Sequence, residues 1–254
     1  MHISILMDRW YIGLFLVGFG LVVILRAGAM HDLRRAFTQE ERTPELDAAI
    51  ARRQVLEATP LAVWYVPGAI NVLLGIAVLS GKLHGIVGYG FGACALAVSL
   101  GTTYLRMRNR GATRAAALAP RTLTSIVPLV WYPAAAIVSV APLAFINVAG
   151  YAMASVLVSA ATMAIFGFAV ASNSMASIMS GENPQEELQV DQRLRCARVF
   201  GLFGAGMGVP FVFVSMVSPI APSSILHTTV YLLVVLAWCA LVIPLLMRRV
   251  RLPI

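Results

Sequence analysis

Acidic residues are absent from most of this chain. None occurs between Ala58 and Gly181, and none follows Asp191. Ion-coupled transporters place carboxylates inside the membrane, and enzymes that act on magnesium diphosphates or through an intramembrane metal need clustered acids. The sequence therefore argues against ion-coupled transport and against metal-dependent catalysis, and it predicts neither a cofactor nor a metal site.

Cysteine and histidine are scarce as well. Cys94, Cys196 and Cys239 form no ligand spacing, so neither a disulfide framework nor a zinc site is predicted. His84 and His227 fall at the same predicted end of two apolar segments; the favoured role is hydrogen bonding at the membrane interface, and a haem or copper site is the alternative. No histidine lies in the interior of a predicted span to act as the base for a serine nucleophile. We expect no enzymatic activity.

Charge of either sign is low, and apolar residues dominate. The 254 residues are 59% hydrophobic and 12% charged, whereas soluble domains are about 45–50% apolar and about 25% charged. The mean hydropathy is +0.84. Since a bilayer core of roughly 30 Å takes about 20 apolar residues per helix, the chain has room for several spans and for no second folded domain.

Seven apolar segments divide the chain. They predict transmembrane spans at residues 10–26, 60–80, 86–105, 125–146, 148–171, 199–218 and 225–247. The predicted fold class is an all-α, polytopic membrane bundle of seven transmembrane helices, with residues 1–254 forming one domain.

The basic residues are strongly asymmetric along the chain. Of the 19, all but Arg9 and Lys82 fall in alternate connecting segments. By the positive-inside rule this pattern predicts an outside N-terminus and a cytoplasmic C-terminus in the cell (inner) membrane. The net charge of +8 is thereby explained by topology, and nucleic acid is not an expected partner because no stretch combines a basic face with aromatic stacking residues.

The first apolar segment has an alternative interpretation. Residues 1–29 end in Ala27-Gly28-Ala29, which resembles the cleavage site of a signal peptide. However, Arg26 interrupts the apolar run just before that site, and cleavage would leave the arginines of the next segment outside. We therefore expect an uncleaved first span.

Two polar segments predict short amphipathic helices at the cytoplasmic surface. Residues 43–57 and 183–198 each begin with a capping residue, a proline and acidic residues, and each becomes basic towards its end. One interpretation is a helix lying among the lipid headgroups. The other is a docking surface for a soluble partner, presented by Arg52, Arg53, Arg193 and Arg195.

Prolines and glycines recur inside the predicted spans. Pro67, Pro133 and Pro210 follow basic segments at similar intervals, which predicts three helical hairpins with kinked first helices behind a separate first span. Chance similarity among apolar helices is the alternative. The spacings Gly88/Gly92 and Gly204/Gly208 predict close helix packing.

Few polar side chains fall deep in the predicted spans. Asn71, Ser159 and Thr162 are the candidates either for bridging helices or for lining a solute path. The favoured hypothesis is a facilitator or permease for an uncharged or amphipathic small molecule, in which these side chains share a cavity. The alternative is a non-catalytic subunit or scaffold of a larger membrane complex, with a closed bundle. The expected partners are the lipid bilayer and either other membrane subunits or further copies of this chain.

Overall fold

The computed structural model describes residues 2–30, 37, 42–56, 62–109, 126–174, 184–221 and 224–248, which are mainly helical and contain no strand. The helices are α1 (His2–Met30), α2 (Pro44–Leu56), α3 (Ala62–Leu79), α4 (Gly85–Asn109), α5 (Trp131–Val140), a 3₁₀ helix (Ala141–Phe145), α6 (Ala152–Ser174), α7 (Pro184–Val217) and α8 (Ile225–Arg248). The predicted all-helical class is thus confirmed for these residues.

Every predicted span coincides with an apolar helix of the described chain. Three helices are long and apolar enough to cross a membrane, namely Gly85–Thr103, Ala152–Ser172 and Gln185–Val217. Four shorter apolar helices cover Arg9–Leu25, Tyr65–Leu79, Trp131–Phe145 and Ile225–Ala240. These helices indicate a membrane protein, while the number of spans and their orientation stay predictions.

The helices form two groups, which we call the first and the second lobe. The first lobe contains α1, α3 and α4, and the second contains α5, the 3₁₀ helix, α6, α7 and α8. The two lobes are in extensive contact, since α4 packs along α6 at least as extensively as along α3; α2 belongs to neither lobe and packs on α7. We call the end of the bundle that carries α2 the basic end, and the end that carries Gly81 and Asn147 the opposite end.

The first lobe is built on direct backbone contact between α1 and α3. Gly13 lies against Gly75 and Gly20 against Gly68, so the two helices run antiparallel. A Cβ placed on Gly20 would lie 2.6 Å from the Gly68 carbonyl oxygen, and one on Gly75 would lie 2.8 Å from the Gly13 carbonyl oxygen. Since seven residues are about two helical turns, both pairs occupy one face of each helix.

The Arg9 side chain of α1 forms hydrogen bonds with the last turn of α3. Its Nε donates to the Val78 carbonyl at 2.8 Å, and one terminal nitrogen donates to the Leu79 carbonyl at 2.7 Å. The last carbonyls of a helix lack intrahelical donors and carry partial negative charge, so a guanidinium satisfies them well. Gly81 follows with a φ of 76°, and the Arg9 side chain fills the space that a Cβ would need there.

The fourth predicted span changes helix type part-way along. The α5 helix ends at Val140 and continues as the 3₁₀ helix, in which Pro142 occupies the first turn. Proline has no N–H to donate to the carbonyl four residues earlier, and its ring collides with that carbonyl. The residues from Trp131 to Phe145 span about 25 Å, from the rises of about 1.5 Å per α-helical and about 2.0 Å per 3₁₀ residue.

The sixth predicted span is much longer than expected. One continuous helix, α7, runs from Pro184 to Val217. Its 34 residues extend roughly 51 Å, well beyond a bilayer core of roughly 30 Å. The segment 183–198, predicted as a separate surface helix, is therefore corrected: from Pro184 onwards it is the projecting N-terminal part of α7, because no helix-breaking residue separates it from the apolar part.

Candidate functional site

The buried polar side chains of the apolar helices are the candidate site. Asn71 is 2% exposed and lies in the first lobe. Its Nδ2 donates to the Pro67 carbonyl at 2.8 Å and lies 3.4 Å from the Gly92 carbonyl of α4. A Cβ on Gly92 would overlap the Asn71 amide oxygen. The absence of a side chain at Gly92 therefore makes room for the amide, which ties α3 to α4.

Ser159 and Thr162 lie in the second lobe, on α6. The Ser159 hydroxyl donates to the Ser139 carbonyl of α5, and Thr162 donates to the Val158 carbonyl at 2.7 Å. Ser139 in turn donates to the Ala135 carbonyl at 2.7 Å. All these residues are buried, and their donors are directed at backbone carbonyls.

The bond between Ser159 and Ser139 has a physical cause in the change of helix type. In a 3₁₀ helix each N–H pairs with the carbonyl three residues earlier. The Ser139 carbonyl would be served by the Leu143 N–H in an α-helix and by the N–H of residue 142 in a 3₁₀ helix, and residue 142 is a proline without an N–H. The Ser159 hydroxyl supplies the missing donor. Pro142, which the sequence analysis did not single out, is thus the origin of this cross-helix bond.

The structure does not gather the three predicted polar residues into one place. Asn71 bonds within α3 and to α4, whereas Ser159 and Thr162 belong to α6 and bond towards α5 or within α6. The α4 helix lies between them, since Gly92 faces Asn71 and Gly90 packs on Ala154 of α6. Whether any of them lines a solute path stays a prediction.

The three predicted kink prolines are not equivalent. Pro67 and Pro210 lie inside α3 and α7. Pro133 is the third residue of α5, in the first turn, where a missing N–H costs no intrahelical bond. The expected interruption at Pro133 is therefore corrected to Pro142, and the predicted likeness of the three hairpins does not extend to this helix.

Of the two glycine pairs predicted to pack closely, the structure supports one and contradicts the other. Gly88 and Gly92 do face neighbouring side chains, of Val78 and Asn71 respectively. A Cβ on Gly204 or Gly208 would meet nothing within 4 Å, so the prediction of close packing there is wrong. On that helix Gly206 makes the close approach instead, against the ring of Phe166.

Large side chains fill the second lobe between α5, α6 and α7. Trp131 is 0% exposed, and its ring lies 5.6 Å from that of Phe200 and 5.5 Å from that of Phe203. Phe203 also contacts Phe166, at 5.3 Å between centroids. The Trp131 indole N–H has no hydrogen-bond partner among the described residues. Aromatic side chains thus fill the space between α5, α6 and α7.

The two amphipathic segments at the basic end pack against each other. Leu46, Ala49 and Ile50 of α2 form a small buried cluster with Phe37 and Val190 of α7. The apolar strip of α2 is therefore covered by the chain itself. Leu46 and Ile50 of the strip are therefore not available to lipid, while a position of α2 at the headgroup region stays a prediction.

The arginines proposed for docking contact other parts of the chain. Arg195 is buried; it forms a 2.9 Å ion pair with Asp191 and lies 3.3 Å from the Ser172 carbonyl of α6. Arg193 lies over the Phe37 ring at 5.1 Å, and Arg52 lies 3.7 Å from Glu187. The Arg53 side chain is outside the described part of the chain. Docking through these four residues stays a prediction.

The two histidines at the opposite end have separate aromatic partners. The His84 ring lies 5.8 Å from that of Tyr151, and the His227 ring stacks on Phe145 at 4.9 Å. His227 Nε2 also lies 3.2 Å from the Ala144 carbonyl oxygen, at the end of the 3₁₀ helix. Among the described residues no group of three or more His, Cys, Asp or Glu could hold a metal ion.

Comparisons with protein-family models, with curated proteins and with solved structures give no match to this chain.

Proposed function

We propose that this protein is a non-catalytic, membrane-embedded subunit or scaffold of a larger membrane complex. One observation supports this function over that of a permease: the buried polar side chains lie in two different lobes, and their donors are directed at backbone carbonyls. A permease needs polar groups that converge on a solute. A scaffold needs only a closed bundle whose outer faces meet lipid and neighbouring subunits.

The outer faces of the bundle suit such a role. Exposed apolar side chains cover α1 and α8, including Leu21, Leu25, Leu232 and Leu236. Within lipid, helices associate through close packing and not through hydrophobic exclusion. A bulky residue at a partner-facing position therefore disrupts an assembly, whereas the same residue at a lipid-facing position is tolerated.

We further propose that all seven apolar helices cross the cell inner membrane, with the N-terminus outside and the basic end in the cytoplasm. The support is the coincidence of the seven apolar helices with the seven predicted spans and the distribution of the basic residues. Single-cysteine labelling tests this topology. A cysteine at position 108 should react only after the membrane is permeabilised, and reaction from outside intact cells would contradict the orientation.

Extraction in a mild detergent from cells with native expression tests the subunit hypothesis. We expect an assembly heavier than the 27.2 kDa chain on a native gel. Leu21→Trp and Leu236→Trp, on the two outer faces, form a matched pair, and at least one should shift the assembly towards the monomer. A clean monomer from the unmodified protein would rule out the proposed function.

A second candidate function is facilitated transport of an uncharged or amphipathic solute. The interrupted helix at Pro142 favours it, because the Ser139 carbonyl is served by α6 and the Ala144 carbonyl lies beside His227 of α8. Interrupted membrane helices often form transporter binding sites. Purified protein in liposomes should then show saturable uptake of an uncharged solute, reduced in Ser159→Ala and unchanged in the exposed control Ser80→Ala. Absence of saturable uptake across a panel of such solutes would exclude it.

A further inference from the structure

The change of helix type after Val140 deprives the Val138 carbonyl of its regular backbone donor. In an α-helix that donor would be the N–H of residue 142, which is a proline. In a 3₁₀ helix it would be the Ala141 N–H, which bonds to the Ile137 carbonyl instead. Val138 is fully buried, and a buried carbonyl without a donor costs about as much free energy as a lost hydrogen bond. This carbonyl therefore needs a donor from outside its own helix.

A buried hydroxyl without a partner lies on the neighbouring helix α6. Ser155 is fully buried, and its hydroxyl has no hydrogen-bond partner within the described part of the chain. The next two hydroxyls along the same helix are paired: Ser159 donates to the Ser139 carbonyl of α5, and Thr162 donates to the Val158 carbonyl. Burial of a hydroxyl is unfavourable unless it is hydrogen-bonded, so Ser155 needs a partner as well.

Both groups adjoin the bond between Ser159 and Ser139. Residues four apart lie one above the other on one face of a helix, so Ser155 lies one turn of α6 from Ser159. This turn is on the side of the opposite end, where α6 begins and where the 3₁₀ helix packs against it. The carbonyls of α5 point in the same direction, towards its C-terminus. The Val138 carbonyl and the Ser155 hydroxyl are therefore directed at the same region, beside the bond from Ser159.

A water molecule has the hydrogen-bonding capacity that these groups require. Buried waters typically make two to four hydrogen bonds to polar groups. Here the Val138 carbonyl can accept one bond, the Ser155 hydroxyl can donate one, and the Ser159 oxygen can accept another. In membrane helices, carbonyls released by a proline are served by serine or threonine side chains and by ordered waters. Ser159 serves one of the two released carbonyls directly, and a water serves the other.

We propose that a water molecule binds between α5 and α6, where it bridges the Val138 carbonyl to the Ser155 hydroxyl, with Ser159 as the third partner. The three partners determine the class of ligand: it is small, it is uncharged, and it both donates and accepts hydrogen bonds. The site does not depend on the proposed subunit function, since it concerns the isolated chain.

Transfer of magnetisation from water to the protein, measured by solid-state NMR in lipid bilayers, tests the site directly. The unmodified protein is labelled with carbon-13 in serine and threonine, and the Ser155 signal is identified by its loss in Ser155→Ala. We expect rapid transfer to the Ser155 Cβ. Thr162 is the matched reference, because it is equally buried and its hydroxyl bonds within its own helix. Transfer to Ser155 as slow as that to Thr162 would overturn the proposal.

A double-mutant cycle in the equilibrium constant of unfolding gives a second test. Ser155→Ala should raise this constant roughly five-fold more in the unmodified protein than in a Pro142→Ala background, the effect of about one hydrogen bond. The reason is that the N–H of residue 142 then donates to the Val138 carbonyl, so the water is no longer needed. Thr162→Val is the control and should have the same effect in both backgrounds. Equal effects of Ser155→Ala in both backgrounds would contradict the bridge, because the hydroxyl would then act independently of the helix break.

Discussion

Replacement of Gly20 by alanine tests the backbone contact between α1 and α3. The new Cβ would lie 2.6 Å from the Gly68 carbonyl oxygen and 2.9 Å from the Val72 backbone nitrogen. Both atoms belong to the backbone of α3, so the clash is relieved only if the helices move apart. Gly18 offers a matched control on the same helix, because a Cβ there meets nothing within 4 Å.

The magnitude follows from two opposed effects. Overpacking of a close contact costs about 1–3 kcal/mol, while replacing glycine by alanine inside a helix gains up to about 1 kcal/mol. Gly18→Ala has only the gain, so Gly20→Ala should be less stable than Gly18→Ala by about 1–3 kcal/mol, the overpacking cost alone. Reversible unfolding in mixed micelles measures both free energies. Equal stability of the two variants would refute the close backbone contact.

Three further predictions concern single interactions. Arg9→Ala should destabilise the protein by about 2–3 kcal/mol because two carbonyls of α3 lose charge-assisted bonds, whereas Lys82→Ala, at an exposed site, should have no measurable effect on the unfolding midpoint. Asp191→Ala should cost about 3–5 kcal/mol, since it leaves Arg195 buried without its anion; the same denaturation assay should show little change for the exposed control Gln192→Ala. Ser159→Ala should lower the free energy of unfolding by about 1 kcal/mol. The loss should be smaller in a Pro142→Ala background, because the Leu143 N–H can then donate to the Ser139 carbonyl. If the effects of the two substitutions simply add in a double-mutant cycle, this coupling is contradicted.

The helices of the membrane part could be located from the sequence because their signal is local. A run of about 20 apolar residues is helical in lipid whatever its neighbours are, since every backbone group must find a partner within its own segment. The change of helix type at Pro142 was equally present in the sequence, as a proline inside a predicted span. Pro133 lies in the first turn of α5 and Pro142 beyond its end, so which of the two interrupts the helix depends on where the helix begins, and helix ends are poorly fixed by an apolar run.

The candidate site could be predicted only as a set of residues. Asn71, Ser159 and Thr162 are indeed buried, as polar side chains deep in apolar helices should be. Which of these side chains lie close together depends on which helices are adjacent. In lipid, the pairing of helices is set by the shape of the contacting surfaces and not by hydropathy. Gly92 beside Asn71 and Ser139 beside Ser159 are matches of that kind.

The sequence by itself determined the helical class, the apolar segments and the scarcity of carboxylates, because each of these follows from composition along the chain. Only the tertiary structure decided which glycines touch, since Gly20 and Gly68 make backbone contact while Gly204 and Gly208 face open space. The tertiary structure likewise shows that Arg195 is buried beside Asp191, which its place in a basic segment did not indicate. In both cases the reason is that contact across helices depends on helix rotation and pairing, which side-chain identity along one helix does not fix.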